Sequence, residues 1–456
     1  MEDSLVEHQR DVPIVAGHLG LLQYFRDAFA SDSRNTQRIP IRFAVTATDA
    51  TRYRCEFATM SASLGDRRRG AFSLFDFRRR QIADSREFNA VLLVPTGIGA
   101  DLGGHAGDAG PVARLLAEVC DTIVLHPNVV NASDINEMPS NSLYVEGSVV
   151  TRLLMGTAGL LPVRSNRVLV IIDAHRDAFF MNAAVNAVNA ARATYGLDCV
   201  EIVAVDPAVK LFAGYSPSGR AAGRVEGAEQ LLRVLDSRLG TFDAVSLSTV
   251  VNVPLSFHQD YFDAAGAMVN PWGGVEAMFT HALSSVYDIP TAHAPMFESR
   301  EIANADPGKV DPRMAAEAVS TTFLQCTLKG LRRSPQIVTE QAAMREPSVL
   351  TVQQVSCLVV PEGCLGLPTL AALEQGITVI EVTNRNLMEN DLGVLPWRRG
   401  QFYRASSYLE AAGLMAALKA GIAPNATRRP LVHTSVQGAD VGRRTENQRE
   451  DVGQTA

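Results

Sequence analysis

From residue 88 onward, short and nearly continuous apolar runs alternate with segments of helical period. The runs are VLLV (91–94), TIVL (122–125), VLVII (168–172), VEIVAV (200–205), AVSLS (244–248), CLVV (357–360) and TVIEV (378–382). Helical spacing falls near 111–119, 181–194, 226–238, 273–287, 312–331, 367–375 and 406–419. A strand that is apolar at consecutive positions has both faces covered. Such strands, separated by helices, predict an α/β fold of mainly parallel sheets flanked by helices.

The first 86 residues have a different texture. Leu21, Leu22, Phe25, Ala28 and Phe29 sit at helical spacing. IRFAVTAT and RYRCEFATM then alternate, with Ile41, Phe43 and Val45 on one side and Tyr53, Cys55 and Phe57 on one side. Asp49 supplies turn chemistry between them. The expected organisation is a small β-rich N-terminal unit of helix plus hairpin over 1–86. An α/β domain over 87–335 follows, then a C-terminal α/β part over 336–423 that completes a cleft. The polar, non-periodic tail 424–456 is expected to be disordered. Segments 295–312 and 333–353 read as connectors.

Composition serves mainly to exclude. The chain has 456 residues, 46% hydrophobic and 20% charged, enough apolar material for a sizeable core. Its net charge is −7, and a nucleic-acid binder would show a basic face. Arg67–Arg69 and Arg78–Arg80 read as solvated loop charge. The start MEDSLVEHQRDVP is charged, and no run reaches the roughly 18 apolar residues of a membrane span. Six cysteines without CxxC spacing fit a reducing cytoplasm. The expected partner is a small molecule, with no nucleic acid and no membrane; a homo-oligomer stays open.

The stretch VLLVPTGIGADLGGHAGDAGP, 91–111, is the first candidate site. In parallel sheets, ligands bind beyond the carboxyl ends of strands. Glycines there let the backbone approach closely and turn several N–H groups toward one anion. Thr96, Gly97, Gly99, Asp101, Gly103 and Gly104 are therefore candidate binding residues, and Asp108 and His105 candidate catalytic ones. GxGxxxG approaches a dinucleotide fingerprint, but the helix begins too late and the next strand ends in His126 rather than in a ribose-binding acid. No GK[ST] follows, so it is not a Walker loop either.

Other strand ends supply further candidates. TIVL ends at His126, a candidate general base, with Asn128 and Asn131 beside it to orient a substrate. Glu146 precedes a helix in LYVEG. In CLVVPEGCLGLPTL, Cys364 sits where a helix N-terminus lowers a thiol pKa, and Asn384 lies past the next strand. The run VLVIIDAHRDAFF contributes Asp173, His175 and Asp177, a set able to ligate a divalent metal. It resembles the DAHxD motif of arginase-like ureohydrolases, whose resemblance implies two manganese ions. LGGHAGD, with His105, loosely echoes that family's GGDH, but AVSLSTVVNV lacks its later DxD. The other reading of this segment is a helix capped by a strand-end Asp. His293 in AHAP reads as structural, and NPWGG, 270–274, as a possible substrate-facing turn.

Taken together, VPTGIGADLGGHAGDAGPVARLLA, DTIVLHPNVVNAS, LYVEG and NPWGGVEAMFTHAL resemble an uncharacterised microbial family, the domain-of-unknown-function family three-three-two-six. Its pattern is PTGIGA, a GGxAGDA loop, HPNVLN and LYVEG in this order, then AHAP and a late strand-loop-helix element. The resemblance covers roughly 38–423. His105 departs from it, standing where the pattern has an aromatic residue, and AHRD is no part of it. The resemblance implies an organisation and no reaction. The leading expectation is a cytoplasmic enzyme acting on a small anionic metabolite, a carboxylate or phosphate, as transferase, lyase or isomerase. Asp108 and His126 would be its acid/base pair, and no cofactor is required. The alternatives are a metal-dependent C–N hydrolase using the DAHRD segment and a non-catalytic metabolite-binding protein.

Overall fold

The computed structural model describes residues 3–15, 20–36, 38–61, 73–81, 86–264, 266–320, 322–431 and 433–434. Arg67–Arg69 and the tail beyond 434 lie outside the described residues. The fold is mixed α/β, and among the described residues two large sheets carry it. The first has six strands, all parallel, in the order Phe402–Ala405, Thr378–Val382, Val355–Pro361, Asn89–Leu92, Thr122–Leu125, Ser142–Tyr144. Its strands carry the apolar runs read from sequence, and Val91, Leu92, Val359 and Ile380 are fully buried. The chain winds outward in both directions from the centre of this sheet. Asn89–Leu92 leads to the strands on one side and Val355–Pro361 to those on the other. The winding reverses between these two, and a crevice opens beyond their carboxyl ends at such a point.

The second sheet has ten strands and is mixed. Asp198–Val205, Arg167–Asp173, Ala244–Asn252 and Thr291–Met296 run parallel. Here too the winding reverses, between Arg167–Asp173 and Ala244–Asn252. Beyond Lys210–Tyr215 the sheet continues antiparallel through Ala221–Glu226, Asp3–Pro13, Arg52–Ser61 and Arg38–Thr48. Its last strand is Leu365–Gly366, the loop that follows Val355–Pro361 of the first sheet. One short loop therefore joins the two sheets next to the first crevice.

The N-terminal hairpin forms as its pattern predicts. Asp49 Oδ1 accepts from the N–H groups of Thr51 and Arg52 at 2.8 and 3.0 Å. The charged start contributes a strand, Asp3–Pro13, that periodicity missed because its polar residues have buried partners. Glu7 and Glu56 both ion-pair with Arg220, whose side chain is 1% exposed. Removing one member of such a buried cluster leaves an uncompensated charge and costs about 3–5 kcal/mol.

A register irregularity between Pro40 and Arg42 corrects the expected facing of the hairpin. Ile41 packs in one core cluster, with Leu5, Met60 and Val225, while Phe43 and Val45 pack in the other, with Phe25 and Phe29. Irregularities of this kind re-aim a side chain, and the residue in question is Arg42.

Several helices match their periodicity closely, including Gly273–Tyr287 and Leu367–Gln375. The periodic stretch 312–331 divides instead into Ala315–Ala318 and Leu324–Leu331. The expected connectors hold a helical turn, Arg300–Ala303, and a short strand, Gln336–Val338.

Candidate functional site

The first crevice opens into a cavity of about 720 Å³ between the two sheets. Thr96, Gly97, Gly104 and His105 line it from the glycine loop, and His126, Asn128, Asn131 and Glu146 from the neighbouring strand ends. Cys364 lines it from the loop that joins the sheets. Segments far apart in sequence thus meet at one rim. Gly99, Asp101, Gly103, Asp108 and Asn384 are not among the residues lining it.

The glycine loop is held mainly by its own fold. Gly103 donates its N–H to Asp108 Oδ1 at 2.9 Å, Leu102 to Asn384 Oδ1 at 2.9 Å, and Ala106 to Glu317 Oε1 at 2.7 Å. Gly103 has φ +87°, and a Cβ there would lie 2.7 Å from a Val94 methyl. At Gly104 it would lie 2.1 Å from the Ala100 carbonyl oxygen. Close packing therefore demands these glycines. The Gly97 and Gly104 N–H groups make no hydrogen bond among the described residues and border the cavity; those two alone of the four expected donors are available to a ligand there. Asp101 forms an exposed pair with Arg385, and Asn384 also donates to Leu102 O and Tyr408 Oη, clamping the loop.

His126 and Asp108 do not face each other as an acid/base pair. Asp108 is turned into its own loop, where burial pushes its carboxyl up to about 7 against the N–H groups of Gly103 and His105. His126 is 3% exposed, and its Nε2 accepts the Val94 N–H at 3.1 Å. That contact puts the ring proton on Nδ1, and burial lowers the imidazole to about 4. His126 is thus a neutral imidazole of fixed tautomer. His105, also lowered to about 4 by burial, pairs its Nδ1 with Tyr261 Oη at 2.7 Å. Asn128 donates to Val94 O and Gly103 O, and Asn131 to Tyr144 Oη. Burial pushes the Cys364 thiol up, the reverse of an activated nucleophile.

Glu146 caps the helix Gly147–Leu154, accepting from Ser148 and Val149 N–H. Its Oε2 lies 3.2 Å from Nε2 of His281. Burial raises Glu146 to about 7 and lowers His281 to about 3, with Arg42 and His126 adding to the latter.

Four further groups reach the cavity that periodicity did not single out: Arg42, Glu276, His281 and Glu317. His293, expected to be structural, is a fifth, with Nδ1 2.7 Å from Glu276 Oε1 and Nε2 2.8 Å from Thr249 Oγ1. Arg42 Nη2 donates to Thr96 O at 2.9 Å and Nη1 to Gly274 O at 3.4 Å. Burial, with Arg220 nearby, lowers its pKa to about 10, so it stays charged at neutral pH. It forms no ion pair among the described residues. The NPWGG turn does face the cavity: Trp272 lines it, and Asn270 Oδ1 accepts the Trp272 N–H at 3.0 Å.

The DAHRD segment lies elsewhere. Asp173 Oδ2 accepts the Val250 N–H at 2.8 Å, and His175 Nε2 donates to Glu298 O at 3.1 Å. Asp177 caps the helix Ala178–Tyr195 and pairs with Arg300 at 2.6 Å. None of the three lines the cavity. Among the described residues no group of three or more His, Cys, Asp or Glu side chains is arranged to hold a metal.

Comparison with known proteins gives organisation without activity. The family model described as "Protein of unknown function (DUF3326)" matches residues 89–428. A curated protein of Synechococcus sp. named "Uncharacterized lipoprotein syc1174_c" is 32% identical over 371 residues, covering 78% of this chain and 99% of that protein. No solved structure matches. No helix among the described residues is long and apolar enough to cross a membrane.

Proposed function

The chain belongs to the DUF3326 family, and from that premise we propose that it is an enzyme acting on a small anionic metabolite bound between the two sheets. One observation carries this reading. A buried guanidinium, Arg42, borders a cavity of about 720 Å³ and has only backbone carbonyls as partners. Arginine has five N–H donors in a planar fork, so several remain for a carboxylate or phosphate. The Gly97 N–H and the neutral His126 ring are further donors at the same wall. The Arg42 strand precedes the segment matched by the family model, while Glu276 and His293 lie inside it.

Glu276 and His293 take the acid/base role in this reading. The imidazole sits between a carboxylate and a hydroxyl, so its orientation is fixed and a proton can be shared with Glu276 at the cavity wall. Transfer, elimination and isomerisation all use such a pair. The six cysteines are free thiols, five of them buried, which supports a reducing compartment. The Synechococcus relative is named a lipoprotein, and fractionation of cells making the full chain separates a cytoplasmic from a membrane-bound placement.

A thermal-shift screen of carboxylate and phosphate metabolites, followed by product detection for each binder, tests the reading. A binder that needs Arg42 and is converted by the wild type is the expected result. Binders indifferent to Arg42→Gln would overturn the anion anchor, and an Arg42-dependent binder never converted would leave a binding protein.

A further inference from the structure

The cavity holds opposite charges that it keeps from pairing. Arg42 is tied to the carbonyls of Thr96 and Gly274, Glu276 to His293, and His293 to Thr249. Glu276 has a side chain 19% exposed, and its Oε2 has no hydrogen-bond partner among the described residues. Both charged groups border the first turn of the helix Gly273–Tyr287, yet no ion pair joins them among the described residues. Opposite charges sharing a poorly solvated space attract strongly. Two long side chains would close on each other unless their partners held them apart, as these partners do.

The surrounding charge has a sign as well. Glu317 is a second inner carboxylate, and exposed Asp263, Glu298 and Glu301 border the cavity toward solvent. A purely anionic ligand meets this negative rim before it reaches Arg42. A ligand with a negative end and a positive end is complementary to both walls. The surface between them is aromatic, where Trp272 packs edge-on against Tyr261 at 5.3 Å. Such a face accepts both apolar groups and ammonium.

We propose that the ligand is a zwitterion of the amino-acid class: its carboxylate on Arg42, its ammonium at Glu276 and an apolar side chain against Trp272. This rests on the reading of Arg42 as an anion anchor and narrows it. The ammonium supplies Glu276 with a cation that Arg42 is prevented from supplying, and the net charge of the bound site changes little.

The test uses matched probes on the full chain by titration calorimetry: L-phenylalanine, 3-phenylpropanoate and 2-phenylethylamine, then L-leucine, 4-methylpentanoate and 3-methylbutylamine. In at least one set the zwitterion is expected to bind at least about tenfold tighter than either half-molecule, the scale of one lost charge-assisted contact. Glu276→Gln should weaken zwitterion binding by about tenfold and carboxylate binding by less than about twofold. If that variant does not fold, the comparison of probes on the wild type decides alone. A carboxylate that binds as tightly as its amino acid overturns the zwitterion and leaves the anion anchor standing. An amine that binds best, unaffected by Arg42→Gln, overturns both. If none of the six binds, the amino-acid class is wrong, and the anion anchor is then judged on the phosphates of the wider screen.

Discussion

The molecule contains the same topological feature twice, and only one copy is a cavity. In the six-stranded sheet the winding reverses between Asn89–Leu92 and Val355–Pro361, and the space beyond opens onto Arg42, His126 and Glu276. In the larger sheet it reverses between Arg167–Asp173 and Ala244–Asn252, where Asp173 reaches across to the Val250 N–H. Asp177 and Arg300 then fasten the helix that follows. The rule that ligands bind at such reversals nominates both places equally. What separates them is whether local polar groups already satisfy one another.

Four substitutions probe that contrast, in descending order of effect. Gly104→Ala at the open reversal forces a Cβ to within 2.1 Å of the Ala100 carbonyl oxygen. Overpacking against backbone should cost roughly 3 kcal/mol and lower the denaturant midpoint; an unchanged midpoint would show that the loop adapts. Arg42→Gln should cost about 1.5–3 kcal/mol of ligand affinity, a loss of roughly ten- to a hundredfold, by the usual worth of a hydrogen bond to a charged group. Its melting temperature should stay near wild type. Equal affinity in both proteins would make the open reversal as inert as the closed one.

The third acts at the closed reversal. Asp173 is 2% exposed and burial raises it to about 6. Its folded pKa exceeds the unfolded value, so its contribution to stability is full below about pH 4 and falls as pH rises through about 6. Asp173→Asn removes that dependence. Relative to wild type, the variant should gain roughly 2–3 kcal/mol between pH 4 and pH 8 in urea unfolding, because the carboxyl titrates at about 6 when folded and about 4 when unfolded. A flat difference would place the cause of the pH dependence elsewhere. Asp177→Ala should have the smallest effect, a fall of about 2 °C in melting temperature from a lost helix cap, with ligand binding untouched.

Much of the architecture was legible because burial on both faces writes itself into apolar runs. The central strands of both sheets and the helix Gly273–Tyr287 follow that pattern. The strand Asp3–Pro13 was not, since Glu7 pairs with Arg220, 213 residues away. At the site, the glycine loop and His126 did identify the right strand ends, but the expected use of their polar groups was incomplete. A lone sequence cannot tell an N–H that faces a ligand from one that faces Asp108 or Glu317. Arg42 carried a signal, a single arginine between Ile41 and Phe43, but its aim depends on a register shift. Glu276 looked like an acid in the first turn of a helix, and only the return of Thr291–Met296 beside Ala244–Asn252 places His293 against it.

The pairing of Asn89–Leu92 with Val355–Pro361 also governs how the protein must be made. Asn89 meets Ser356, 267 residues further along, so the half of the sheet translated first waits with an unpaired edge until most of the chain has left the ribosome. Such an edge recruits other strands while it waits, and biosynthesis of this protein should therefore depend on chaperones more than its final stability would imply.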